Sequence, residues 1–100
     1  MQATIIKSDH IISIKLQGRF DFNTHRVFRA AADAVLLETH NQIQVDFAGV
    51  DYLDSSALGM LLMLRDKAKA ASKAVTLVNC AGGVRQVLDI ANFGKLFPVS

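Results

Sequence analysis

The chain has no tryptophan, one tyrosine, one proline and one cysteine among its 100 residues. A lone cysteine, Cys80, cannot close an internal disulfide, so the chain reads as a protein of a reducing compartment. Charge of one sign is also scarce: eleven basic and nine acidic residues leave a net charge of only +2. The basic residues run thinly from Lys7 to Lys95, with one modest cluster at Arg65, Lys67, Lys69 and Lys73. Nucleic-acid binding normally demands a denser basic patch interleaved with stacking aromatics, and none is visible. Long apolar runs are missing as well. The longest is Met60–Leu64, far short of a membrane span, and Met1–His10 has no apolar segment of the signal-peptide kind. The expectation is a soluble, cytoplasmic protein without membrane insertion.

What is present is a globular composition, 51% hydrophobic and 20% charged, in a length suited to one domain, residues 1–100. Ile12, Ile14 and Leu16 alternate with Ser13, Lys15 and Gln17, the period of a half-buried strand over Ile11–Gln17 that Gly18 would end. Thr4–Lys7 forms its hairpin partner across the turn Ser8-Asp9-His10. Asp21 or Asn23 can cap a helix reaching about Glu38, with Val27, Ala30, Ala31, Ala34 and Leu37 expected on the sheet side. Gln42–Phe47 reads as a strand, Ala48–Leu53 as a connector, and Asp54 to about Ser72 as a second helix. Val75–Asn79 is a short strand. Val84, Val87, Leu88 and Ala91 mark a third helix that Asn92 and Gly94 suit as a terminus. Leu96, Phe97 and Val99 can add an edge strand that tolerates Pro98. Strand–helix alternation implies parallel pairing with right-handed crossovers, and the polar alternate positions of Ile11–Gln17 imply helices mainly on one face.

The chemistry concentrates in Val50–Gly59, where Asp54, Ser55 and Ser56 stand at a strand-to-helix junction. One reading is a helix cap, with Asp54 or Ser55 accepting from free backbone amides; the reciprocal capping box is absent. The other places a phosphate on a serine, where the helix N-terminus would hold it and where it would stand beside Asp54 and Asp51. Helical spacing puts Ala57, Met60, Leu61, Leu64, Ala68 and Ala71 on a core stripe. Leu58 and Leu62 then share the opposite side with Arg65, Asp66, Lys69 and Lys73, so Leu58, Leu62, Arg65 and Lys69 are candidates for a partner-binding surface. Gly59 either permits close backbone approach by a partner or relieves packing near the strand. No nucleophile with a titratable partner, no metal-ligand spacing and no phosphate-cradling glycine loop is present, so neither a catalytic residue nor a cofactor is expected, and the chain is not read as an enzyme.

The run Asp54-Ser55-Ser56-Ala57-Leu58-Gly59 resembles the Asp-Ser-Ser-Gly-Leu-Gly signature of anti-sigma factor antagonists of the STAS family. Leu16–Asp21, Val45–Leu53 and Phe93–Phe97 resemble further segments of that family in the same order. The resemblance implies an α/β STAS fold with a four- to five-stranded mixed sheet. It implies phosphorylation at Ser56 and binding of an anti-sigma factor or a related switch serine kinase in the unphosphorylated state. A PP2C-type phosphatase would restore that state, in a partner-switching circuit that regulates transcription. It makes Asp21 a candidate for the same surface, together with Asp54, Ser55 and Gly59. The chain departs from the pattern in two ways: Ala57 replaces the usual glycine, and Phe20 and Phe22 bracket Asp21, with Phe22 either a partner anchor or a core aromatic. The alternative is a constitutive STAS subunit of a lipid-transport ATP-binding-cassette complex; such subunits often lack the acceptor serine.

Overall fold

A computed structural model describes residues 1–100. Strands β1 (Gln2–Lys7) and β2 (Ile11–Phe20) form an antiparallel hairpin. The Ser8 hydroxyl closes its turn, donating to the Ile11 carbonyl at 2.9 Å and accepting from the Ile11 amide at 3.2 Å. Strands β3 (Gln42–Leu53) and β4 (Ala74–Val78) follow in parallel, giving a four-stranded sheet in the order β1-β2-β3-β4. Helices α1 (His25–Leu36) and α2 (Ser55–Ala70) make the crossovers, and α3 (Gly82–Ile90) packs on β3.

The sheet is mixed and the fold is α/β, as expected. Every one of the 23 buried residues is apolar and they form one cluster, so one face of the sheet carries the only core. Ser13, Lys15, Gln17, Gln44, Asp46 and Thr76 occupy alternate positions on β2 to β4 and remain half-buried or exposed.

Two expectations at the strands are corrected. β2 does not stop at Gly18 but passes through it with φ +96° and continues to Phe20; Ala48–Leu53 is no connector but the second half of β3. β3 carries two extra residues relative to β2, at the shifts between Lys15/Gln17 and between Gly18/Arg19. Such bulges erase the two-residue period that marks a strand in sequence. Asp46 props the first, its Oδ1 accepting from the Ala48 amide at 2.9 Å and the Asn79 side chain at 3.0 Å. Gly49 is required there: a Cβ would stand 2.8 Å from the Leu16 carbonyl oxygen. The proposed final strand shrinks to one bridge, Leu77 to Val99. Phe97 turns into the core instead of lying along the sheet edge.

The face of α1 is also corrected. Phe28, Ala31, Ala32 and Val35 are buried, whereas Val27, Ala30, Ala34 and Leu37 are exposed, Leu37 at 88%. The aromatic decides the rotation. Phe28 packs against Phe20 at a centroid distance of 4.8 Å with the rings tilted by 36°, and its burial outweighs that of several small side chains. On α2 the buried set is Ala57, Leu61, Leu64 and Ala68, with Met60 half-buried and Ala71 exposed. Cys80 lies just beyond β4, and burial pushes its thiol pKa up. Asn92, in the left-handed conformation, follows α3.

Candidate functional site

The parallel strands β2 and β3 end side by side, with Phe20 opposite Leu53, so Asp21 and Asp54 emerge together at the carboxyl edge of the sheet. Each opens a helical segment, but in different ways. Asp21 is satisfied locally in a capping box with Thr24 that heads a 3-10 turn, Phe22–Thr24, before α1. Its Oδ1 accepts from Asn23 at 3.0 Å, and its amide donates to the Thr24 hydroxyl at 2.9 Å.

Asp54 works across the two elements. Its Oδ1 accepts from the Ala57 amide at 3.0 Å and caps α2. Its Oδ2 accepts from the Phe22 amide at 3.2 Å, and its own amide donates to the Phe20 carbonyl at 3.3 Å. One carboxylate therefore fixes the start of α2 against the turn that precedes α1. The cap is Asp54 and not Ser55.

Ser55 and Ser56 occupy the first two positions of α2, Ser55 exposed and Ser56 half-buried, and neither hydroxyl has a hydrogen-bond partner in the chain. The backbone amides at these two positions have no intrahelical acceptor either. The site thus offers a reachable hydroxyl at the positive end of a sixteen-residue helix whose capping role is already filled.

Aromatic groups border it. Phe22 is 67% exposed, so it is not a core aromatic. Its ring lies 5.6 Å from that of His25, whose Nδ1–H donates to the Phe22 carbonyl at 2.7 Å. A carbonyl only accepts, so the proton sits on Nδ1. Arg19 places its guanidinium 4.0 Å over the Tyr52 ring, with Nε 3.5 Å from Asp21 Oδ2. Arg19 and Tyr52 were not among the sequence candidates. Their pairing depends on the bulges of β3, which no spacing rule reveals.

Residues of α2 fall into three adjacent rows at spacings of four, three and four. Ala57, Leu61, Leu64 and Ala68 form the buried row. Ser56, Met60, Met63 and Lys67 form the row on one flank, which faces α1, since Lys67 pairs with Asp33 at 3.7 Å. Leu58, Leu62, Arg65 and Lys69 form the row on the other flank. That flank faces the C-terminal segment, since Arg65 Nε donates to the Leu96 carbonyl at 2.9 Å. Leu58 and Leu62 were expected opposite the core; they are half-buried and pack against it. Helical spacing cannot show the cover from the C-terminal segment, where Phe93 and Phe97 enter the core. At Gly59 an added Cβ would meet nothing within 4 Å. Packing within the chain does not require that glycine.

The family model described as "Mlab, STAS domain" matches residues 4–98, and the chain belongs to the STAS-domain family. It is 47% identical over 89 residues to a STAS-domain containing protein of Pseudomonas aeruginosa (strain UCBPP-PA14), covering 89% of this chain and 87% of that one. It is 24% identical over 100 residues to BtrV of Bordetella bronchiseptica, provisionally described as an anti-sigma factor antagonist, covering 100% of this chain and 86% of BtrV. Its fold is that of the anti-sigma factor antagonist SpoIIAA. The unphosphorylated form superposes with a TM-score of 0.80 at 19% identity over 98% of this chain and 87% of that one. The phosphorylated form gives 0.73 at 19% identity over 98% and 90%.

Proposed function

We propose that the chain is a phosphorylation-switched binding regulator of the anti-sigma factor antagonist type. It engages an anti-sigma factor or switch serine kinase while Ser56 is unmodified and is released when Ser56 is phosphorylated; a PP2C-type phosphatase reverses the change in the cytoplasm. The observation that carries this reading is the division of labour at the start of α2. Asp54 caps the helix and ties it to the Phe22 turn, which leaves the Ser56 hydroxyl without a structural duty. A phosphate on Ser56 would meet free amides of the first turn and would add negative charge beside Asp54. A partner seated on Ser55, Ser56, Gly59 and the exposed ring of Phe22 would lose a dry contact to a charged one. Asp21 and Asp54 would shape that surface from beneath, Asp54 through its bond to the Phe22 amide. Leu58 sits at its border.

The test is affinity capture from cells of the source organism with the wild-type chain, Ser56→Ala and Ser56→Asp, followed by mass spectrometry. The expected result is a protein retained by wild type and Ser56→Ala and lost from Ser56→Asp, with the kinase adding one phosphate to wild type and none to Ser56→Ala. Full labelling of Ser56→Ala at Ser55 would move the assignment to its neighbour. An ATPase held equally by all three forms would favour the constitutive transport subunit instead.

A further inference from the structure

The far flank of α2 borders a cleft of about 190 Å³ that the Ser56 site does not include. Arg65, Lys69 and Lys73 line one side, and Val75, Leu96 and Pro98 line the other; no acidic residue lines it. Arg65 Nη1 lies 3.7 Å from the largely exposed Asp66 carboxylate, and the Glu38 carboxylate is near enough to Lys73 to feel its charge. Arg65 is held in place by its bond to the Leu96 carbonyl. Lys73 is held by the Glu38 and His40 carbonyls at 2.6 and 2.5 Å. Lys69 has no partner. Its place in the last turn of α2 suits the helix dipole, but the dipole does not account for what lies beside it.

Beside it is a stretch of sheet edge without a strand partner. β4 is the last strand of the sheet. Its Leu77 turns amide and carbonyl outward, bonding the Pro98 carbonyl and the Ser100 amide, each at 2.9 Å, while the Ala74 amide turns inward to the Asn41 carbonyl at 2.9 Å. Outward and inward groups alternate along a parallel strand. Val75 therefore presents its N–H and C=O to the same edge as Leu77; its side chain is buried in the core, the main-chain cover from the C-terminal segment is bonded from Leu77 onward, and Val75 lines the cleft. The cleft opens where that cover stops.

We propose that this cleft docks a short extended acidic segment of a partner protein. The segment would add to the β4 edge at Val75 through main-chain hydrogen bonds, with its carboxylates on Lys69 and Arg65 and its apolar side chains against Leu96 and Pro98. The charge of the lining selects an acidic segment, and the unpaired edge selects an extended one. The inference is independent of phosphorylation, because the Ser56 row lies on the opposite flank of α2.

The probe is a fluorescein-labelled peptide of alternating glutamate and valine, titrated into the full chain by anisotropy at low salt and mapped by amide chemical shifts. Saturable binding is expected, with the Val75 amide among the largest shifts. Lys69→Glu, an exposed position without partners, should weaken it roughly tenfold or more. A copy of the peptide N-methylated on alternate amides should lose binding, and Ser56→Asp should bind as wild type does. The proposal is overturned if Lys69→Glu binds normally in a folded protein, if the N-methylated peptide binds equally, or if the shifts map to the Ser56 end. It is also overturned if the peptide fails to bind, including the case in which phosphatidylglycerol vesicles or a single-stranded RNA bind in its place through Lys69.

Discussion

The two flanks of α2 are built on the same buried row and differ in every other respect. Toward α1 the row is Ser56, Met60, Met63 and Lys67, soft and uncharged until a lysine that is already paired with Asp33. Toward the C-terminal segment it is Leu58, Leu62, Arg65 and Lys69, two half-buried leucines followed by two cations. Ser56 and Leu58 are two residues apart in sequence and about 160° apart around the helix. One face of chemistry in the linear sequence thus becomes two surfaces in the fold. The α1 flank carries a hydroxyl without a hydrogen-bond partner near an exposed aromatic, and the other carries charge beside the β4 edge.

The two flanks are defined by which row of α2 is buried, and core truncation tests that most severely. Leu64 is fully buried, so Leu64→Ala should cost about 2–5 kcal/mol, enough to threaten the fold of so small a domain. Leu62, half-buried in the adjacent row, should cost roughly 1 kcal/mol when cut to alanine, as expected for a side chain that loses only part of its burial. Urea midpoints of the two variants give the order. A larger loss at Leu62 than at Leu64 would mean that α2 is rotated and that the flanks are misassigned.

Asp54→Ala comes next. The cap alone is worth about 0.5–2 kcal/mol, and its second oxygen also holds the Phe22 amide. Asp21→Ala removes a cap satisfied within its own turn. The larger loss is expected at Asp54, with the Phe22 and His25 resonances shifting along with those of the first turn of α2. Confinement of the change to α2 would show that the tie to the turn before α1 carries no weight in solution.

Much of this arrangement was legible beforehand. The alternation in β2, the polarity of its second face and the strand–helix order were enough for the α/β sheet and its single core. Ser56 and Asp54 could be named as candidates because the motif is contiguous, and Asp54 does cap α2. The α1 face was not. Its small residues offer several periodic sets, and only the contact between Phe28 and Phe20, distant in sequence, selects one. The second half of β3 was hidden by its bulges, and with it the Arg19–Tyr52 stack. The half-burial of Leu58 and Leu62 was hidden for a related reason: the segment that packs over that flank arrives some thirty residues later, as the Arg65–Leu96 bond shows.

Gly59 stands on the outermost face of α2, between the two flanks. The site has open space for a methyl group, and glycine inside a helix costs about 0.8–1.0 kcal/mol relative to alanine. Gly59→Ala should therefore raise stability by up to ~1 kcal/mol. If a partner seats on this face as proposed, the same variant should bind it several-fold more weakly. A gain in stability with unchanged affinity would remove Gly59 from the interface while leaving Ser56 in question.

The smallest effect on the fold is expected from phosphorylation of Ser56 itself. A phosphate in the first turn of α2 gains from the helix dipole, which stabilises an anion there by about 0.3–1 kcal/mol at an exposed site, and from the free amides of that turn. It also stands near the Asp54 carboxylate, whose two oxygens are committed to the Ala57 and Phe22 amides and cannot swing away without breaking them. These contributions have opposite sign and similar size, so the net change in unfolding free energy should stay within about 1 kcal/mol. The circular dichroism spectra of the two forms should overlap. Partner affinity should fall by far more, because there the phosphate meets a surface fitted to a neutral hydroxyl. Added salt tests whether both opposing terms are electrostatic. It screens the repulsion from Asp54 and the dipole alike, so the two melting temperatures should converge as salt rises. A helix that melts on phosphorylation at any salt would place the switch in the fold of α2, and the division of labour between Asp54 and Ser56 would no longer explain it.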